Sequence, residues 1–216
     1  MKKYYPVNLN ITDKKCVIVG GGEVAERKTE RLLECGARVT VVSRSLTQKL
    51  KNMINASNIS YIDTDYKRET LLGAYMVIGA TDDEAVNGQI SRDALSMNIL
   101  VNIVDDPEKC NFILPALVQQ GDLLIAISTG GKSPALARKI REELQRHYGP
   151  EYQILLEIMG ALREEILARG RAPQENKTVF MNLIDSGILQ AIRDRDRARV
   201  KQIIYEFIEI DMDVTL

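Results

Sequence analysis

Three glycines separate a run of β-branched residues from a charged, helix-like segment in CVIVGGGEVAERK, residues 16–28. Gly20 would let the chain reverse sharply after the strand, and Gly22 would let the backbone approach a pyrophosphate because it has no Cβ. Ala25 takes the place of the third glycine of GxGxxG, where alanine is accepted. The next helix would turn free N–H groups and its positive dipole end toward that phosphate. The pattern predicts a dinucleotide site rather than a purely structural turn, with Gly20, Gly22, Glu23 and Val24 as its residues.

The second strand-like run ends in VVSRS, residues 41–45, without an acidic residue. An NAD site usually has Asp or Glu there to hold the ribose hydroxyls. Arg44 could accept a 2′-phosphate, which would favour NADP, or it could lie along the adenine face or simply be solvated. The residues alone leave the choice of nicotinamide open.

A second small-residue cluster, GATDDEAVN at residues 79–87, follows the fourth strand-like run. It should therefore lie at the carboxyl edge of the sheet, where Gly79 and Ala80 would let a cofactor pass close to the chain. Thr81 or Asp82 could cap the next helix, and for Asp82 capping alone is the alternative to a cofactor contact. We predict both Thr81 and Asp82 as cofactor-binding residues.

Asp105 ends the fifth strand-like run in NIVDDP, residues 102–107. Ligands of open parallel sheets bind at this edge, so its carboxylate could receive a proton from a substrate. The alternative is that Asp105 and Asp106 only start a turn before Pro107. The single histidine, His147, lies near a helix end and is better explained as a structural or surface residue.

Further along, STGGKSP at residues 128–134 places two glycines before a helix that Ser133 would cap. Free N–H groups at such a helix start favour an anion. The segment therefore predicts a pocket for acidic groups.

The order of elements predicts an α/β fold. Short β-branched runs at 16–19, 38–42, 59–62, 75–80 and 100–104 alternate with helix-like stretches at 23–35, 46–54, 69–72 and 83–97. This alternation is typical of a Rossmann-like parallel sheet with helices on both faces. The two runs around QQGD, within 112–129, are too close for a crossover and should be antiparallel. A helix through His147 and at least three more helical segments, at 151–169, 174–186 and 194–208, complete the chain.

Composition restricts the partners of this 216-residue chain. Lys and Arg total 29 against 30 for Asp and Glu, so nucleic acid is disfavoured as a main partner. No apolar run is long enough for a membrane span, and the lysines at the start have no apolar segment behind them as a secretory signal would. Three scattered cysteines fit reduced thiols in a cytoplasmic protein, and no His or Cys cluster indicates a metal site.

With GGGEVAERK, GATDDEAVN, NIVDDP and STGGKSPALAR in this order, the chain resembles the precorrin-2 dehydrogenase family, the N-terminal module of siroheme synthases, over about its whole length. The resemblance implies NAD-dependent oxidation of precorrin-2 to sirohydrochlorin, and some members also insert ferrous iron. It implies a homodimer as well. Members use NAD although they lack the usual acid, so Arg44 and Ser45 are expected to contact the adenosine ribose.

The resemblance also implies a domain plan and further site residues. An NAD-binding domain would cover 1–112, a mixed α+β segment for dimerisation and substrate 113–149, and a helical domain 150–216. Asp105 matches the catalytic aspartate, and Thr129 stands where a serine hydroxyl often faces the active site. The expected substrate-binding residues are Asn102, Thr129, Gly130, Gly131, Lys132 and Ser133. Two other functions stay open, namely a chelatase with a vestigial nucleotide site and a non-catalytic NAD-binding regulator.

Overall fold

The computed structural model describes residues 3–56, 59–170 and 172–216. The chain divides into two compact units, Met1–Leu114 and Pro115–Leu216. The domain boundary predicted near residue 112 lies close to this division. The boundary predicted near residue 150 has no counterpart in it, because the central segment and the helical part fall in the same unit.

The first unit is built on a parallel sheet of five strands in the order β3-β2-β1-β4-β5. Every neighbouring pair is parallel, as the alternation of strands and helices predicted. The strands are β1 (Lys15–Val19), β2 (Arg38–Val42), β3 (Ser60–Ile62), β4 (Met76–Gly79) and β5 (Leu100–Ile103).

Helices cover both faces of this sheet. Helices α1 (Glu23–Glu34) and α2 (Gln48–Ala56) pack on the face that carries Cys16 and Ile18. Helix α3 (Glu84–Ser96) packs on the opposite face, with Val17 and Val19. Successive strand residues point to opposite faces, and both faces are buried along most of β1, β2, β4 and β5, which explains why these strands are mostly apolar. The edge strand β3 is exposed along its three residues. The stretch predicted as a short helix at 69–72 is a 3₁₀ turn, Arg68–Leu71.

The outer edge of β5 is closed by the chain that returns after it. The Asn111 N–H donates to the Val101 carbonyl (3.1 Å), and the Asn111 side chain accepts from the Val101 N–H (2.7 Å). The backbone groups of an edge strand need such partners when they are buried. The link between β5 and this return, which contains Asp105, is thereby fixed at both of its ends.

The second unit begins with an antiparallel hairpin, β6 (Ala116–Gln120) and β7 (Leu123–Ile127), which confirms the predicted pairing. Helix α4 (Pro134–His147) follows, and the Ser133 hydroxyl accepts a hydrogen bond from the Leu136 N–H (3.2 Å) at its start. The predicted serine cap is therefore confirmed, and Pro134 lies in the first turn, where proline is favoured.

The rest of the second unit is helical: α5 (Glu151–Ala168), α6 (Pro173–Asp185), α7 (Ile188–Arg193) and α8 (Arg197–Ile208). On α8, four apolar side chains are buried in the helical core, namely Val200, Ile203, Ile204 and Ile208, whereas Phe207 is 36% exposed. These four residues follow one another at intervals of three, one and four residues, which places them on one face of the helix. Within the described ranges, no helix is long and apolar enough to cross a membrane.

Candidate dinucleotide-binding site

A cavity of about 680 Å³ opens at the carboxyl ends of β1, β2 and β4 in the first unit. This volume is within the range of about 300–1,000 Å³ that is usual for small-molecule and cofactor sites. The structure brings all eight predicted cofactor-binding residues to its wall: Gly20, Gly22, Glu23, Val24, Arg44, Ser45, Thr81 and Asp82.

The three glycines of the turn have three different surroundings. A Cβ on Gly20, whose φ is 123°, would lie 2.2 Å from the Ala80 carbonyl oxygen. A Cβ on Gly21 would lie 1.9 Å from the Ser45 carbonyl oxygen, whereas one on Gly22 would meet no described atom within 4 Å. The first two glycines let the turn pack between neighbouring loops, and the third leaves its space open toward a bound group. The packing role of Gly21 was not predicted, because the fingerprint assigns no function to that position.

The open space at Gly22 lies at the N-terminus of α1. Gly22 has no side chain to cap this helix, and the first backbone bond into it runs from the Glu26 N–H to the Gly22 carbonyl (3.1 Å). The N–H groups of the first turn therefore point toward the cavity end of the helix, which suits a phosphate. The geometry of the turn fits the pyrophosphate of a dinucleotide.

A buried carboxylate fastens the loop after β2 to α1. Glu26 is only 8% exposed, and it accepts a short hydrogen bond from the Thr47 hydroxyl. The Thr47 N–H donates to the Gly21 carbonyl (3.0 Å), and the Thr47 hydroxyl accepts from the Leu50 N–H (3.2 Å). These contacts hold the loop that carries Arg44 in place. Glu26 and Thr47 were not predicted from the sequence. The only signal there is that Glu26, an acidic residue, follows Ala25 on the buried side of the predicted helix.

Arg44 is held by two aspartates that follow β3. Its Nη2 lies 3.3 Å from Asp65 Oδ2, and its Nη1 lies 3.8 Å from Asp63 Oδ1. Nη1 also donates to the Asp63 backbone carbonyl (3.2 Å). Of the roles left open for Arg44, simple solvation does not describe this structure, although the side chain stays 60% exposed.

The cap of α3 differs from the predicted one. Asp83 caps this helix by accepting from the N–H groups of Ala85 (2.9 Å) and Val86 (3.0 Å), so the choice of Thr81 or Asp82 as its cap was wrong. The helix begins at Glu84, and the N-cap is by definition the preceding residue. The Thr81 hydroxyl instead accepts from the Asp83 N–H (3.2 Å). Asp82 therefore does not cap α3, and the cofactor contact is the remaining one of the two roles considered for it.

Asp105 follows β5 next to this cavity but is not among the residues that line it. The Val104 N–H donates to the Gly79 carbonyl (2.9 Å), which brings the ends of β5 and β4 side by side. Asp105 is exposed and has a φ of 60°, in the left-handed region that few residues other than glycine adopt. Within the described part of the chain, its carboxylate has no hydrogen-bond or ion-pair partner.

The charged neighbours of Asp105 distinguish it from Asp106. The Asp106 carboxylate lies 2.7 Å from Lys109 Nζ, and this hydrogen-bonded cation lowers the pKa of Asp106. Half-buried Lys28 on α1 lies within electrostatic reach of Asp105. Burial and Arg27 lower the pKa of Lys28, while the Asp105 carboxylate acts in the opposite direction.

Asn102, a predicted substrate contact, is buried in β5. Its Nδ2 donates to the Phe112 carbonyl (3.2 Å) and to Cys110 Sγ (3.6 Å), so in this structure the amide holds the returning chain against the strand. Its role toward a substrate stays a prediction.

The other predicted substrate contacts form a glycine loop in the second unit. Gly130 and Gly131 have φ values of 61° and 81°, which glycine adopts without strain. The Thr129 hydroxyl accepts from the Ser133 N–H (3.1 Å) and donates to the Ser133 carbonyl (3.1 Å), so it closes the loop. Lys132, which lies between Gly131 and Ser133 in this loop, is exposed. Whether these residues bind a substrate stays a prediction.

No group of three or more His, Cys, Asp and Glu side chains in the described residues could hold a metal ion. None of the three cysteines is in a disulfide; burial raises the pKa of Cys16 to about 11, and Cys35 is exposed.

Comparisons with known proteins agree with this geometry. A family model described as "Putative NAD(P)-binding" matches residues 7–116, and one described as "Sirohaem biosynthesis protein central" matches residues 120–147. Siroheme synthase 1 of Aeromonas salmonicida is 35% identical over 201 residues, which cover 93% of this chain and 43% of that protein. The siroheme synthase of Methylobacillus flagellatus is 36% identical over 203 residues, covering 92% and 44%.

The chain thus spans less than half the length of these curated relatives. A solved structure titled "SirC, precorrin-2 dehydrogenase" has the same fold, with a TM-score of 0.81 and 24% identity over 96% of this chain and 100% of that chain. The chain belongs to the family described as "Putative NAD(P)-binding" and also matches the sirohaem biosynthesis central model, which confirms the resemblance identified from its motifs.

Proposed function

We propose that this protein is an NAD-dependent dehydrogenase that oxidises precorrin-2 to sirohydrochlorin. The observation that carries the proposal is the carboxylate of Asp105, which is exposed and has no hydrogen-bond partner among the described residues. It lies at the strand end next to a cavity lined by the three glycines of the dinucleotide fingerprint. A cofactor site needs only to orient cofactor and substrate, because the cofactor carries the difficult chemistry.

Bound in the cavity, NAD supplies a hydride acceptor. The α1 N-terminus and the open space at Gly22 would hold the pyrophosphate, and Ser45 and Arg44 would border the adenosine ribose. Oxidation removes one hydride and one proton from the substrate. Asp105 receives the proton, so no metal and no histidine is required for the balance of the reaction.

Asp105 suits this role better than Asp106 does. The carboxylate of Asp106 is engaged by Lys109 at 2.7 Å, whereas that of Asp105 makes no such contact with the described residues. A residue held at positive φ is strained, and such strain is found disproportionately at functional sites.

The substrate contacts are proposed from the resemblance. Precorrin-2 carries many carboxylates, and the loop Thr129–Ser133 offers a helix N-terminus and the exposed Lys132 to anions. Asn102 is also proposed as a substrate contact by the same resemblance. We also propose a homodimer in the cytoplasm; cysteines that form no disulfide support the location, and the exposed apolar side chains Leu156, Met181 and Ile184 support the dimer.

The test is anaerobic turnover of precorrin-2 with NAD and without any metal ion. We expect stoichiometric formation of NADH and sirohydrochlorin, followed by absorbance. No absorbance change with NAD, but metal insertion when ferrous or cobaltous ion and sirohydrochlorin are supplied, would establish the chelatase instead. Nucleotide binding with neither reaction would indicate a regulator.

A further inference from the structure

The cavity is bordered at the ribose end by an ion-pair cluster from two neighbouring strands. Strands β2 and β3 pair in parallel with Val42 opposite Ile62, so the residues that follow them emerge at the same edge. Arg44 follows β2, and Asp63 and Asp65 follow β3. Arg44 and Asp65 both line the cavity, next to Ser45.

The contacts of Arg44 occupy its guanidinium. Asp65 takes Nη2 at 3.3 Å, and Asp63 takes Nη1 through its backbone carbonyl at 3.2 Å and its carboxylate at 3.8 Å. One positive and two negative charges leave this cluster with a net charge of −1. A guanidinium that would otherwise be a fork for a phosphate is thus directed toward carboxylates of its own chain.

We infer that Asp63 and Asp65 determine the preference for NAD over NADP by engaging Arg44 and by placing negative charge at the ribose end of the cavity. The inference rests on the proposed dinucleotide site. A carboxylate accepts a hydrogen bond from a ribose hydroxyl, but it repels a 2′-phosphate of like charge. The acid that NAD sites usually carry at the end of the second strand is therefore supplied here from the third strand.

The loop geometry keeps this arrangement in place. The Tyr61 hydroxyl donates to the Ser43 carbonyl (2.9 Å), and the Ser43 N–H donates to the Ile62 carbonyl (3.3 Å). These bonds join the two strand ends immediately before the cluster. Arg44 and the two aspartates are thus positioned by the sheet and not by their mutual attraction, which is weak between side chains that are 60–78% exposed.

The experiment compares the affinities of NADH and NADPH for the full chain, measured by calorimetry and by the fluorescence of the reduced nicotinamide. The wild type is expected to bind NADH more tightly. The double variant Asp63→Asn/Asp65→Asn should bind NADPH at least about tenfold more tightly than the wild type does, because two like charges are removed and Arg44 is released. Its affinity for NADH should change by less than about threefold, since the hydroxyl of the ribose can bond an amide as well.

A third substitution and a charge-matched control isolate the mechanism. Adding Arg44→Gln to the double variant should abolish the gain for NADPH. The control Asp13→Asn/Glu34→Gln removes two carboxylates near the opposite, amino-terminal ends of β1 and β2, and should leave both affinities unchanged. Thermal melting would show that each variant is folded.

The inference is overturned if the double variant binds NADPH no better than the wild type, or if the control gains as much. A wild-type protein that binds neither nucleotide would instead overturn the proposed function, and the inference with it. A wild type that prefers NADPH contradicts the inference and the choice of NAD, but it leaves the proposed dehydrogenation of precorrin-2 standing.

Discussion

Replacing Asp105 with Asn removes the proposed proton acceptor with the smallest structural change available. Asn tolerates the left-handed conformation that Asp105 adopts at φ 60°, whereas Ala would add about 1–2 kcal/mol of strain. The carboxylate makes no hydrogen bond within the described chain, so none is lost from the fold. We therefore expect the free energy of unfolding to stay within about 0.5 kcal/mol of the wild-type value.

The effect on turnover should be large. A positioned general base contributes about 10²- to 10⁴-fold, which corresponds to about 3–5 kcal/mol of the activation free energy. NAD affinity should change by less than about twofold, because Asp105 does not line the cavity. The assay is NADH formation from precorrin-2 under anaerobic conditions, with NADH binding measured separately.

The matched control is the adjacent residue. Asp106→Asn removes the same charge but breaks the ion pair with Lys109 instead, and it should lower turnover by less than about threefold. Equal losses in the two variants would mean that general electrostatics, and not proton transfer, is involved. An Asp105→Asn enzyme with more than about a third of wild-type turnover would refute the role of Asp105 as the base.

Three further expectations concern the fold around the site. Gly21→Ala should destabilise the first unit and weaken NADH binding, because its Cβ would lie 1.9 Å from a carbonyl oxygen. Gly22→Ala should have the melting temperature of the wild type and lose only NADH affinity. Melting curves and calorimetry compare the two variants, and equal melting temperatures would contradict the packing role of Gly21. Thr47→Val removes the hydroxyl that is hydrogen-bonded to the buried carboxylate of Glu26, and it should lower the free energy of unfolding in urea by about 1–3 kcal/mol. The same substitution at the exposed Thr12 should cause no measurable loss. A thiol reagent should modify Cys35 alone in the native protein, because Cys110 is buried and Cys16 is buried with a pKa raised to about 11. All three cysteines should react in denaturant. Fast reaction of a second thiol in the native protein would contradict the burial of Cys16 and Cys110.

Much of the fold was predictable because its determinants are local. Parallel strands that are covered on both faces are mostly apolar, and this made β1, β2, β4 and β5 visible in the sequence, whereas β3 is exposed along its three residues. The short spacing around Gly121 required an antiparallel hairpin, and the serine–proline pair marked the start of α4. Helix α7 was missed because its six residues are too few to show a helical period between Gly187 and Asp196.

The residues of the site also differ in whether local sequence could predict them. Residues of a single contiguous motif, such as Gly20 and Gly22, could be assigned from spacing. The partners of Arg44 could not, because Asp63 and Asp65 lie about 20 residues further on and reach it only through the register of β2 with β3. The cap of α3 was misassigned because Thr81, Asp82 and Asp83 are all good capping residues, and only the first helical residue decides among them.

Adjacent aspartates of identical chemistry at the end of β5 show how the fold assigns function to one of them. Asp106 starts the turn and pairs with Lys109, which is the structural use of an aspartate before a proline. Asp105 takes the left-handed conformation, which glycine would adopt at lower cost. A position that served only the turn would gain stability from glycine, so a carboxylate at this position is best explained by what its side chain does. Since that side chain is exposed beside the dinucleotide cavity and bonded to nothing else in the described chain, the conformational cost is consistent with chemistry at the sheet edge and not with packing.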